Sequence, residues 1–178
     1  MRRWLVVAVI AVLAVALIGT TAMAQEVPEK PWAVKVGIFR PDSSAWRDVS
    51  RSTWLMLGVD YTAQVTPSGA EWLGSLEYAP GKNSNHLWSL QGIYKLRSRT
   101  DESQRTGFYY GAGVGAYFAK VRDKALNISK SQTRFGIPIL AGIDFTKDFF
   151  GEVKYNLVFS KVLGERVNGF DVALGYRF

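Results

Sequence analysis

The 178-residue sequence contains no cysteine and a single histidine, His86. Without cysteine there is no disulfide framework, the usual support of small exported domains whose cores are too thin to hold alone. Thiolate ligands and thiol nucleophiles are excluded with it, and one imidazole cannot build a multi-histidine metal centre. After residue 18 no apolar run is long enough to cross a bilayer as a helix of ~20 residues. Charge of one sign is not concentrated either: the 22 Lys and Arg are interleaved with 15 Asp and Glu. Such a mild excess implies no nucleic-acid partner.

What is present begins with an address. Arg2 and Arg3 precede the apolar run Trp4 to Ile18, and Ala22-Met23-Ala24 supplies a small-x-small cleavage site. This pattern predicts a signal peptide over residues 1–24, cut before Gln25. Two arginines and no acid leave with it, taking the formal charge from +7 to +5. Residues 25–32, with Pro28 and Pro31, read as a polar leader. The remainder, 33–178, reads as one domain.

That domain is written in a period of two. In the last stretch, Phe170, Val172, Leu174, Tyr176 and Phe178 share one face, while Gly169, Asp171, Ala173, Gly175 and Arg177 share the other. The same alternation recurs at about 33–39, 53–62, 71–78, 86–97, 107–119, 133–145 and 150–160, giving eight strands. Pro138 stands in mid-strand, where a proline needs a bulge or an edge. One face of each strand is apolar, with aromatics toward its ends. The other face carries Lys35, Asp60, Glu77, Lys95, Arg134, Asp144, Glu152, Lys154, Asp171 and Arg177. A soluble barrel would bury the aromatics and wet the charges; here the order is inverted. The pattern predicts an all-β fold, a closed antiparallel up-and-down eight-stranded transmembrane β-barrel with an apolar outside and a polar inside. Closure leaves no unpaired edge and replaces the missing disulfides.

An even strand count returns both termini to one side, taken as periplasmic. Connectors at about 40–52, 79–85, 120–132 and 161–168 then face outward. They read as polar loops bearing Trp46 and cations such as Arg40, Arg47, Arg51, Lys82, Lys120, Arg122, Lys124 and Lys130, which could touch anionic lipopolysaccharide. The inward charges are expected to pair as a structural network closing the narrow lumen, since an unpaired buried charge is expensive.

Catalytic signals are thin, and no catalytic, cofactor or metal site is expected. Gly111-x-Gly113-x-x-Ala116 imitates a dinucleotide fingerprint, but strand alternation runs through it where a helix should open. His86 could join Ser84 and a carboxylate, Glu77 or Glu71, in an outer-membrane lipid-modifying site. Ser89 lies on the opposite strand face from His86. The strand pattern also admits a small-solute pore or a soluble lipocalin-like binder.

The strand series, the signal segment and the terminal Tyr176-Arg177-Phe178 resemble the small eight-stranded outer-membrane barrels, the barrel of outer membrane protein A among them. The resemblance implies a non-enzymatic integral protein of the bacterial outer membrane, in contact with its lipid and lipopolysaccharide. It further implies that Phe170, Val172, Leu174, Tyr176 and Phe178 form the signal read by the barrel-assembly machinery. No peptidoglycan-binding domain follows residue 178, so a cell-wall tether is not expected.

Overall fold

The computed structural model describes residues 28–66, 69–83, 85–98, 107–123, 128–162 and 165–178. The expected signal peptide, the start of the leader and the connector 99–106 lie outside these residues.

Eight strands form the wall: β1 (Trp32–Pro41), β2 (Trp54–Val65), β3 (Ala70–Pro80), β4 (His86–Ser98), β5 (Gly107–Asp123), β6 (Ile128–Asp144), β7 (Phe149–Val158) and, after a small ribbon, β10 (Gly169–Arg177). The ribbon pairs the two-residue strands β8 (Lys161–Val162) and β9 (Glu165–Arg166). The eight close on themselves in the order β1-β10-β7-β6-β5-β4-β3-β2, every neighbouring pair antiparallel. A short helix, α1 (Ser44–Val49), stands in the connector after β1. The ends of β1, β3, β5 and β7 share one end of the barrel, here the loop end. The ends of β2, β4 and β6 share the other, the turn end, with Trp32 and Phe178.

Alternation governs the wall. Val34, Val36 and Ile38 of β1 are exposed while Lys35 is buried, and Leu55, Leu57 and Val59 of β2 are exposed while Asp60 is buried. Leu174 is 61% exposed and its neighbour Ala173 is 5% exposed. Apolar exposure on this scale cannot face water without penalty. Outward aromatics pair across strands at two levels. Trp32 with Tyr61, Trp72 with Tyr94 and Phe149 with Tyr176 ring the turn end at 4.7, 4.7 and 4.9 Å. Tyr78 with Trp88 and Tyr155 with Phe170 do so toward the loop end, at 4.3 and 4.6 Å. Aliphatic side chains occupy the belt between.

Three local features depart from the sequence reading. The segment 120–132, expected as a charged loop, is largely strand. The β5–β6 ladder continues to Asp123↔Ile128, past its last contact with β4 at His86↔Lys120. A two-stranded arm that projects beyond its neighbours tolerates charge on both faces, which disguised it. Pro138 sits at no bulge. The β5–β6 ladder skips Gly113 and Val114 opposite Ile137 and Pro138, then resumes in the same register, so the missing donor is absorbed as a gap. The true register shift lies in β2, between Thr62 and Gln64.

Closure is made by β1 against β10, in register from Ala33↔Arg177 to Pro41↔Gly169. Gly37 allows that seam to form: a Cβ there would lie 2.1 Å from the Val172 carbonyl oxygen and 2.7 Å from Ala173 Cα. Both obstacles are backbone and cannot rotate away. Gly37→Val should therefore destabilise the closed barrel by about 1–3 kcal/mol, the usual cost of overpacking. The check is denaturant unfolding beside Gly74→Val. Gly74 has open space around its Cβ position, and its variant should be the milder of the two.

Candidate functional site: the charged lumen and its two ends

Inward side chains meet because glycines make room between them. Gly58 of β2 lies between Lys35 of β1 and Glu77 of β3 in register, and a Cβ on it would come within 3.2 Å of the first and 3.1 Å of the second. Lys35 and Glu77 reach across that gap to an Nζ–Oε1 distance of 2.9 Å. Gly142 plays the same part for Tyr109, whose ring occupies the space a Cβ would take. Tyr109 thereby donates to Glu152 Oε2 at 3.2 Å. The glycines of Gly111–Ala116 serve packing inside a continuous β5, not a phosphate-binding turn.

The middle of the lumen is one connected network. Lys35 Nζ lies 3.0 Å from Asp60, 2.9 Å from Glu77 and 3.4 Å from Glu152. Lys154 pairs with Glu77 and lies 3.4 Å from Asp171. Lys95 lies 3.2 Å from Glu152. Glu77 is the hub. Besides its two lysines it accepts from Ser89 at 3.2 Å, Gln91 at 3.1 Å and Ser75 at 3.4 Å. Asp171 accepts from Asn156 at 2.5 Å, and Asn156 accepts from the Tyr117 hydroxyl at 2.9 Å. Asp60 is the least satisfied member: its Oδ1 has the Lys35 charge at 3.0 Å but no aligned hydrogen bond.

A second group fills the turn end. Arg97 holds Glu71 at 2.7 Å and also pairs with Asp144, which Arg177 holds at 2.6 Å. Arg177 stacks its guanidinium 4.4 Å above the Phe150 ring, and Lys95 lies 4.6 Å from the centre of the Tyr109 ring. Between these groups and the leader a cavity of about 10 Å³ remains, bordered by Asp60, Glu71, Lys95 and Arg177. That is room for one water molecule.

Nine of the ten inward charges named from the sequence thus converge in these two groups. Arg134 does not. It stands two residues beyond the last β6–β7 pair, Gly136↔Val158, and so lies above the charged layers. Its guanidinium donates to the Lys161 and Thr133 carbonyls and to the Gln132 side chain. Conversely, Arg97 and Glu71 belong to the ion pairs although the sequence reading did not include them. The period of two had already put both on the inward face, but which rungs lie level, such as Glu71 opposite Lys95, comes only with the register.

Outside the wall, Lys30 of the leader pairs with Asp148 of the last tight turn at 2.7 Å. Their mutual hydrogen bond raises the lysine above its ordinary 10.5 and lowers the carboxyl below its ordinary 3.8. The lysine's contribution is complete below 10.5 and lost as pH rises through its raised value. The carboxylate's is present above 3.8 and lost as pH falls through its lowered value. The leader is therefore latched across the neutral range.

The loop end is closed differently. Phe39, Trp54, Met56, Leu87, Ala119, Val158 and Val167 form an apolar layer above the charges, and Trp46 belongs to it. Trp46 was expected on an exposed loop; instead α1 turns it inward, 5% exposed, stacked 5.8 Å from Trp54 at 28°. The helix is the reason. Ser43 caps it by accepting from the Trp46 amide, and Arg47 donates to the carbonyls of Pro41 and Asp42. Those bonds fold back a segment whose composition reads as a polar loop.

His86 lies on the outward face, its ring 6.1 Å from that of Tyr78. Glu77 and Glu71 face the lumen and are tied there, so neither can serve as its carboxylate partner. Ser84 lies outside the described residues. Among the described residues no group of three or more potential metal ligands occurs, and no helix is long and apolar enough to cross a membrane. The five residues named as an assembly signal form the outward face of β10 and its terminus, all exposed. Phe178 closes the last rung by donating its amide to the Trp32 carbonyl at 2.9 Å.

Removing the hub's charge while keeping its shape tests the network. Glu77→Gln leaves Lys35 and Lys154 short of a shared counter-ion and should destabilise the barrel by about 3–5 kcal/mol. Asp60→Asn, which removes one poorly aligned contact, should cost clearly less. Equilibrium unfolding of both variants in the same micelles measures the difference, and equal losses would contradict a hub at Glu77.

No protein-family model matches this sequence, and no curated protein does. Among solved structures, the fold is similar to Neisserial surface protein A at a TM-score of 0.63 and 15% identity, over 83% of this chain and 96% of that one. It is also similar to the N-terminal β-barrel domain of Pseudomonas aeruginosa OprF at a TM-score of 0.53 and 14% identity, again over 83% and 96%. The chain has the fold of the small eight-stranded outer-membrane barrels.

Proposed function

We propose that this protein is a non-enzymatic integral barrel of the bacterial outer membrane, its wall in the lipid and its lumen closed by ion pairs. One observation carries the reading: large apolar side chains are exposed all round the wall while the charges are buried within it. Water favours the opposite arrangement, and a bilayer favours this one. The two levels of outward aromatic pairs suit the two headgroup regions, where amphipathic rings reside. Residues 1–24 act as the export signal and leave the mature chain starting at Gln25, readable by N-terminal sequencing.

In this placement the turn end faces the periplasm and the loop end faces outward. Lipid and lipopolysaccharide are the immediate partners, with Arg40, Lys82, Lys130 and Arg166 exposed at the outer rim to meet anionic groups. The outward ladder of Phe170, Val172, Leu174, Tyr176 and Phe178 is the surface offered to the barrel-assembly machinery. The protein serves envelope structure or surface contact. It does not transport solutes on this reading, since ion-paired side chains occupy the middle of the lumen.

A liposome-swelling assay tests this. Vesicles holding the wild-type barrel should swell no faster in small sugars than empty vesicles. Glu77→Ala, which also removes side-chain volume at the hub, should give a small rise in flux. Rapid wild-type swelling would instead establish a pore.

A further inference from the structure

Above the charged layers the lumen has a second closure of different chemistry. The helix α1 has six residues, too few to persist without tertiary support. Trp46 is the one side chain described in α1 that is buried, and it stacks on Trp54, which meets Phe39 edge-on at 5.8 Å. The remaining attachments are polar and lie at the rim. Ser50 accepts from the Lys82 amide at 2.8 Å, joining the first outer connector to the second. The Asp42 amide donates to the Asn168 carbonyl at 2.9 Å, joining it to the last. Gly81 lets the second connector approach, since a Cβ there would fall 2.4 Å from Ser50 Oγ.

We infer that α1 is a lid over the outer mouth, with Trp46 as its stopper. The lid opens by swinging between Pro41 and Arg51 while the barrel stays closed. It decides whether solvent reaches the apolar layer beneath and the buried hydrogen-bond chain of Tyr117, Asn156 and Asp171. The inference goes beyond the ion-pair closure, which lies deeper and does not depend on α1. A short segment held by two buried side chains, Trp46 and Ser50, and a few hydrogen bonds, the Tyr155 hydroxyl to Asp42 among them, belongs to the low-stability end of a structure, where local opening is separable from global unfolding.

The absence of native cysteine supplies a clean probe. Ala119 is inward, 2% exposed and in the apolar layer, and Leu73 is inward near the turn end at 5%. The experiment measures labelling of Ala119→Cys and Leu73→Cys by a charged maleimide in the folded, micelle-bound chain, with folding verified by gel mobility before boiling. Ala119→Cys should react slowly alone and at least about tenfold faster when combined with Trp46→Ala, because the labelling rate follows the open population. Trp46→Phe should restore protection, and Ser50→Ala should give an intermediate rate. Leu73→Cys should be indifferent to all three. Should Trp46→Ala fail to fold, Ser50→Ala carries the test. Equal labelling of Ala119→Cys with and without the lid substitutions would overturn the inference, as would parallel acceleration at Leu73→Cys, which marks general loosening.

Discussion

An eight-stranded barrel is just wide enough inside for side chains to fill it, and this one fills much of that space with charge. The constraint is severe. No water layer separates the groups, so each cation must find its carboxylates among the residues that cross-strand register brings near. Gly58 shows the solution in miniature: one strand gives up its side chain so that Lys35 and Glu77, on either side, can touch. Glu77 then gathers Lys154, Ser75, Ser89 and Gln91 as well, binding together residues from four strands. Buried ion pairs seldom exceed a good apolar core in stabilising power, but breaking one is costly. Their consequence here is for register. A slip of one residue would turn every inward charge outward and every outward aliphatic inward.

Much of this was legible in the sequence, because a period of two can be read from each strand by itself. Eight runs of it give the strand count, the inward set and the absence of a nucleotide turn at Gly111–Ala116. The strand ends were harder. Charge at 120–123 and 128–132 reads as loop by composition, yet a paired arm outside the barrel is free to carry it. Arg134 has inward parity but sits above the last β6–β7 rung, and parity says nothing of height along the axis. Height also explains Arg97 and Glu71. Their ion pairs depend on which rungs of β3, β4 and β6 lie level, and the stagger between strands is not written in any single strand. Trp46 was the least legible. A six-residue helix capped by Ser43 has no periodic signature, and the apolar mouth beneath it joins the capping bonds in turning the indole inward.

The structure thus divides the lumen by chemistry along its axis: arginines and carboxylates at the turn end, lysines and carboxylates at the centre, aromatic and aliphatic side chains at the loop end. The outer surface is divided too, with an aliphatic belt between two levels of aromatic pairs. Both divisions follow from one placement, a barrel whose outside meets hydrocarbon and whose rims meet water. His86, the one residue able to suggest catalysis, lies on the outside near Tyr78 and apart from the carboxylates of the interior.

The central claim, a closed barrel seated in the outer membrane, is tested most directly by fractionating the envelope and comparing the protein's gel mobility unboiled and boiled. Recovery with the outer membrane and a mobility shift on boiling are the predicted results. Recovery in the soluble fraction with no shift would contradict the account.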